Sequence, residues 1–155
     1  MIGVSLFALL MSVGVPQQRA PQLPVDAMAR TTWMVGCWQT ENKLPEAMRV
    51  EWRRVSATLT IGVVSTGPQG LFGSIEYVRV FVDGGVVTYA SSQPGRTPQR
   101  LTLDVSTAAD TVRFKGANDR DVIWRRMKDK DKEATVSLVI EGRRTDVPLK
   151  RKDCD

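Results

Sequence analysis

The sequence predicts an all-β domain behind a short helix and an apolar leader, and three observations lead there. From Gly36 onward, apolar and polar residues alternate with a period of two, the spacing of strands with one buried and one wet face. Turn-forming clusters of Gly, Pro, Asn and Asp break that alternation at steady intervals. No linker, repeat or second compositional block interrupts the chain after Gly36. Nine or ten short strands in such succession make a sandwich or a barrel.

The elements follow in order. Ile2 to Val15 is apolar apart from Ser5, Ser12 and the glycines. As a helix this run rises about 21 Å, short of a hydrocarbon core of roughly 30 Å. That length suits a secretory signal, with Ala20, Ala27 and Ala29 as small residues near which cleavage would fall. No Lys or Arg precedes the run, so an uncleaved tether is the competing reading. Residues 1–24 are expected to be signal peptide and linker, and 25–155 one exported domain without a stable membrane span in its mature form. Val25, Met28, Trp33 and Met34 have helical spacing, Asp26 can cap, and Gly36 ends the helix.

The strands come next. Met48, Val50 and Trp52 alternate with Arg49, Glu51 and Arg53. Leu101, Leu103 and Val105 alternate with Arg100, Thr102 and Asp104, and Val112 and Phe114 with Arg113 and Lys115. Ala134, Val136, Leu138 and Ile140 alternate with Thr135, Ser137 and Glu141, though Val139 breaks the outer face. Further strands are expected over Leu59–Ser65, Gly73–Val82, Val86–Ser91, Asp121–Met127 and Asp146–Lys150. Asp83-Gly84 marks a tight hairpin, whose central residues need positive φ.

Composition removes several functions. The net charge of +5 and pI near 9.6 would favour anionic partners, but the basic residues are mixed with acids over most of the chain. Only Arg143-Arg144 with Lys150-Arg151-Lys152 is locally one-signed. Aromatics are not interleaved with a basic stripe, so nucleic acid is not an expected partner. Histidine is absent, which excludes Ser-His-Asp and Cys-His machinery and histidine-ligated metal or haem. No phosphate- or dinucleotide-binding glycine motif occurs, and neither a metal nor a cofactor is expected. Cys37 and Cys154 form an even pair, compatible with one disulfide in an oxidising compartment or with two independent thiols.

The stretch Trp33-Met34-Val35-Gly36-Cys37-Trp38 resembles the opening of lipocalin-like barrels, where a short helix leads into a first strand marked Gly-x-Trp. With Glu76-Tyr77-Val78-Arg79-Val80, Gly84 to Ala90 and Val122-Ile123-Trp124-Arg125-Arg126 in order, the chain from Trp33 is similar to an exported bacterial family, domain-of-unknown-function family 6265, related to the calycins. The resemblance implies an antiparallel up-and-down barrel of about 8–10 strands. It implies that Gly36 and Trp38 close the base, that Arg151 stacks across Trp38, and that neighbouring first and last strands bring Cys37 and Cys154 within bonding reach. One segment departs: Gly116-Ala117-Asn118-Asp119-Arg120 is shorter than its counterpart and lacks a histidine.

A barrel lumen would be lined by Trp52, Tyr77, Phe81, Tyr89 and Trp124. Arg79 shares phase with Tyr77 and Phe81, and if that face looks inward its charge needs an internal acid or an anionic ligand. Val78, Val80 and Val82 make the other face equally apolar, so the alternation leaves the inner face open. Glu51 and Glu76 fall in the polar phase and are expected in solvent. The first functional expectation is a barrel binding a small lipophilic or anionic molecule. The second is an envelope protein with a filled barrel that acts through its surface. An enzyme using Glu51, Glu76, Asp121 and the tyrosines comes third.

Overall fold

Ten strands follow one another around a single closed antiparallel sheet, each paired with its neighbours in sequence and the last with the first. The computed structural model describes residues 24–41, 46–68 and 73–154. The expected leader and linker, Pro24 apart, lies outside the described residues. The strands are β1 (Gly36–Gln39), β2 (Glu46–Ser56), β3 (Leu59–Pro68), β4 (Ser74–Asp83) and β5 (Val86–Ser92), then β6 (Gln99–Asp104), β7 (Thr111–Lys115), β8 (Asp121–Arg126), β9 (Glu133–Ile140) and β10 (Arg143–Lys152). The barrel closes where Cys37, Trp38 and Gln39 pair with Lys152, Arg151 and Lys150. Closure gives every strand two neighbours, although β1 is short and pairs only Lys150, Arg151 and Lys152 of β10.

Three boundaries differ from expectation for physical reasons. The single helix is divided into α1 (Pro24–Ala29) and a 3₁₀ turn, Thr32–Met34, because the Thr31 hydroxyl donates to the Met28 carbonyl at 2.8 Å and competes with helical continuation. In the β4–β5 hairpin the central residues are Gly84 and Gly85, at φ 55° and 82°, with Asp83 paired to Val86 outside them. β10 begins at Arg143, earlier than its apolar residues suggest, because Arg143 to Asp146 continue the ladder with Ile140 to Ser137 of β9.

The lumen is filled by aromatics. Trp33 meets Trp38 at 6.4 Å between ring centroids, Trp38 meets Trp124 at 6.2 Å, Trp124 meets Trp52 at 6.2 Å, and Trp52 meets Tyr89 at 6.4 Å, all edge-to-face. Phe114 tilts against Tyr89 at 5.2 Å. Such pairs add about 0.5–1.5 kcal/mol each beyond area burial. Trp52 has space for its ring because Gly62 faces it from β3, where an added Cβ would lie 2.7 Å from Trp52 Cε3.

The helix closes one end. Met28 and Met34 are buried in the core, and Arg30 donates to the carbonyls of Val105, Thr107 and Ala108 in the β6–β7 turn. Trp38 Nε1 donates to the Met34 carbonyl at 2.8 Å, and the Arg151 guanidinium lies 5.4 Å above the Trp38 ring while donating to the Val35 carbonyl. Cys37 and Cys154 are disulfide-bonded, with Cα atoms 5.4 Å apart.

Gly36 has a double reason to be glycine. Its φ is 126°, and a Cβ there would stand 2.9 Å from Arg151 Nη2. Gly36→Ala is therefore expected to destabilise the barrel by about 1–3 kcal/mol in a urea melt. An unchanged midpoint would show that the backbone and Arg151 relax without cost.

Candidate functional site

Among the described residues, the end opposite the helix includes the β5–β6 loop (93–98), the β7–β8 loop (116–120) and the Glu141-Gly142 turn. A hollow of about 300 Å³ opens there. Its apolar side is Leu101, Val122 and Leu138, and its polar side is Glu76, Tyr89, Ser91 and Gln99. Arg96 and Arg120 stand at the loops above. The register explains the grouping: Tyr89 pairs with Leu101 across β5 and β6, and Val122 with Leu138 across β8 and β9. All four therefore project from one side of the sheet, into the lumen.

Two hydroxyls decide the character of this hollow. Tyr89 is 6% and Ser91 8% exposed, both border the hollow, and no hydrogen bond among the described residues involves either hydroxyl. Neither hydroxyl is sealed from solvent, unlike Trp33 Nε1, Trp52 Nε1 and Thr60 Oγ1, the buried side-chain atoms without a partner among the described residues, so both open onto the hollow. Burial first, and the charge of Glu76 second, push the Tyr89 phenol far above its usual pKa, so it keeps its proton and can donate. Among the described residues neither Arg96 nor Arg120 pairs with an acid. Other arginines do: Arg113 Nε meets Asp121 Oδ2 at 3.0 Å and Arg53 Nε meets Glu51 Oε1 at 2.6 Å, while Arg100 pairs with Asp83.

No family model matches the chain, and no curated protein is found to be similar to it.

The expected site residues are dispersed. Tyr89 borders the mouth. Trp52 and Trp124 face the lumen but are packed in the aromatic column below, and neither borders the hollow. Tyr77, Arg79 and Phe81 are on the outer wall, a correction to the expectation that they line the lumen: Tyr77 is 55% exposed while Val78 and Val80 are buried. The compact valines fit against the aromatic column, and the outward phase spares the Arg79 charge its desolvation. Arg79 instead lies 4.8 Å over the Phe81 ring. Glu76 is the converse correction. It shares phase with Val78 and Val80, and so enters the mouth rather than open solvent.

Outside the barrel, short side chains leave a groove of about 620 Å³ across β2 to β5. One row runs Glu51, Val63, Tyr77, Ser92 and the next Arg53, Ile61, Arg79, Ala90. Its floor is low because Ala90 and Ser92 stand beside the taller Arg79 and Tyr77.

Sequence reasoning missed Ser91, Gln99, Arg96 and Arg120. Ser91 and Gln99 carried a signal, the inward phase of Tyr89 and Leu101. Arg120 is placed by a loop in which Asn118 and Asp119 take φ of 56° and 49° and the Gly116 amide donates to the Arg120 carbonyl at 2.7 Å. Among the described residues no cluster of acids and cysteines could hold a metal ion, and no helix is long and apolar enough to cross a membrane.

Proposed function

We propose that this chain is an exported barrel protein that binds a small molecule bearing an anionic group at its open mouth, and that it belongs with the lipocalin-like exported family it resembles. The observation that carries the reading is the grouping in one hollow of the Tyr89 and Ser91 hydroxyls, an apolar floor of Leu101, Val122 and Leu138, and two arginines without acidic partners among the described residues. An anion reached by Arg96 and Arg120 would gain charge-assisted hydrogen bonds, each worth about 1.5–3 kcal/mol. Leu101, Val122 and Leu138 would cover its apolar part. The hollow is at the small end of ligand sites, which span roughly 300–1,000 Å³. The aromatic column beneath it leaves no depth for a long acyl chain. Export is supported by the Cys37–Cys154 bond, since such bonds persist in oxidising compartments.

Calorimetric titration of the purified protein tests the reading. Hexanoate and benzoate are expected to bind saturably, palmitate no tighter than hexanoate, and the double variant Arg96→Gln/Arg120→Gln to lose about tenfold or more in affinity. Absence of saturable binding to these acids, or palmitate as the tightest ligand, would overturn it.

The outer groove favours a second reading, a filled barrel that acts through its wall as an interaction protein of the envelope. On that reading Val63→Asp in the groove removes function in the cell, whereas the two arginine changes at the mouth leave it intact.

A further inference from the structure

The charges around the mouth are not all of one sign, and their placement is ordered. Glu76 enters from β4. Arg120 precedes β8, and three strands separate these two walls around the ring, so acid and guanidinium reach the hollow from different walls. Arg96 stands between them on the β5–β6 loop. Among the described residues Glu76 has no ion-pair partner, although two unpaired arginines border the same hollow, whereas six other acids on the strands, Glu51, Asp83, Asp104, Asp121, Glu133 and Asp146, are paired. A half-buried carboxylate is costly to keep beside an apolar floor unless something cationic or hydrogen-bond-donating meets it. A ligand carrying only an anion would satisfy the arginines, but it would bring a second negative charge toward Glu76.

We infer that the ligand is a small zwitterion with its charges held apart, an ω-amino carboxylate or the termini of a dipeptide. Its ammonium turns to Glu76 on β4 and its carboxylate to Arg120 and Arg96. Its apolar middle lies on Leu101, Val122 and Leu138, and the Tyr89 and Ser91 hydroxyls flank the cationic end because they project from β5, the strand next to Glu76. This inference rests on the mouth being the binding site and adds the second charge. A zwitterion leaves the local charge balance of the site nearly unchanged on binding, whereas a monoanion or a monocation leaves one wall unmatched.

Three probes of equal chain length separate the two charges: 6-aminohexanoate, hexanoate and hexylamine, titrated into the purified protein at neutral pH and low salt. 6-Aminohexanoate is expected to bind about tenfold or more tighter than either singly charged analogue, the effect of one added charge-assisted contact. Glu76→Gln is expected to abolish its advantage over hexanoate without weakening hexanoate. Arg120→Gln is expected to abolish its advantage over hexylamine. Equal affinity for hexanoate and 6-aminohexanoate, with Glu76→Gln indifferent to the difference, overturns the zwitterion while leaving an anion-binding mouth. Binding of none of the three removes the mouth site as well. The comparison among ligands uses the unaltered protein, so it decides the matter even where a variant folds poorly.

Discussion

Replacing Cys37 and Cys154 together by alanine lowers the melting temperature of the barrel by about 10–20 °C. The bond joins β1 to the residue two beyond β10 across a separation of 117 residues, so it ties the two ends of the barrel in the unfolded chain. Loop-closure entropy for that length corresponds to about 5 kcal/mol, and removal of native disulfides from small domains costs roughly 2–5 kcal/mol. For a domain of this size each kcal/mol moves Tm by about 3–5 °C. Alanine is the better replacement because Cys37 is buried, and serine would leave a hydroxyl there without a partner. Reduction of the unaltered protein should reproduce the variant's Tm. A shift below about 3 °C would mean that the β1–β10 ladder and the Arg151–Trp38 stack hold the closure unaided.

The second large effect is at Trp38. Its side chain is fully buried, touches Trp33 and Trp124 edge-on, lies beneath the Arg151 guanidinium and donates to Met34. Trp38→Ala should cost about 3–5 kcal/mol in a urea melt, since the cavity left at the closed end cannot be refilled from a sheet that is hydrogen-bonded all round. Trp38→Phe retains a ring and loses chiefly the indole hydrogen bond, about 1 kcal/mol, with part of the packing. The order alanine far below phenylalanine, phenylalanine below tryptophan, is the diagnostic result. Equal losses for the two would place the effect in the hydrogen bond to the 3₁₀ turn and not in the plug.

Legibility varied along the chain for reasons that particular residues make plain. Where only one face of a strand is apolar, as in Val50-Glu51-Trp52 or Val112-Arg113-Phe114, the inward phase could be read directly and the structure agrees. β4 could not be read this way, since Ile75, Tyr77 and Phe81 compete with Val78, Val80 and Val82. The decision came from the facing groups: Trp52 fills the lumen over Gly62, and an added Cβ at Gly62 would also stand 2.9 Å from Val78 Cγ2. That choice moved Arg79 outside and Glu76 inside. Val105 was misread for a local reason. β6 ends at Asp104, and Arg30 holds the Val105 carbonyl in the turn, leaving its side chain exposed.

The site was less legible than the fold. Arg96 and Arg120 belong to loops, where no periodicity links a residue to a face and backbone conformation alone sets the direction. Asn118 and Asp119 in the left-handed region bring Arg120 to the mouth, and nothing in the composition of 116–120 announces that geometry. The groove on the outer wall was equally hidden, because it arises from the heights of side chains that become neighbours only across four strands.

Alternation and turn chemistry, both local properties of a strand, were enough to specify an all-β chain and the approximate positions of nine of its strands, while the absence of histidine alone excluded histidine-based chemistry. Which face of β4 turns inward, how deep the lumen remains, and which charges meet at the mouth depend on contacts between residues distant in sequence. Those contacts are settled by the volume of the aromatic column and the register of a closed sheet, and neither quantity exists until the first and last strands have joined.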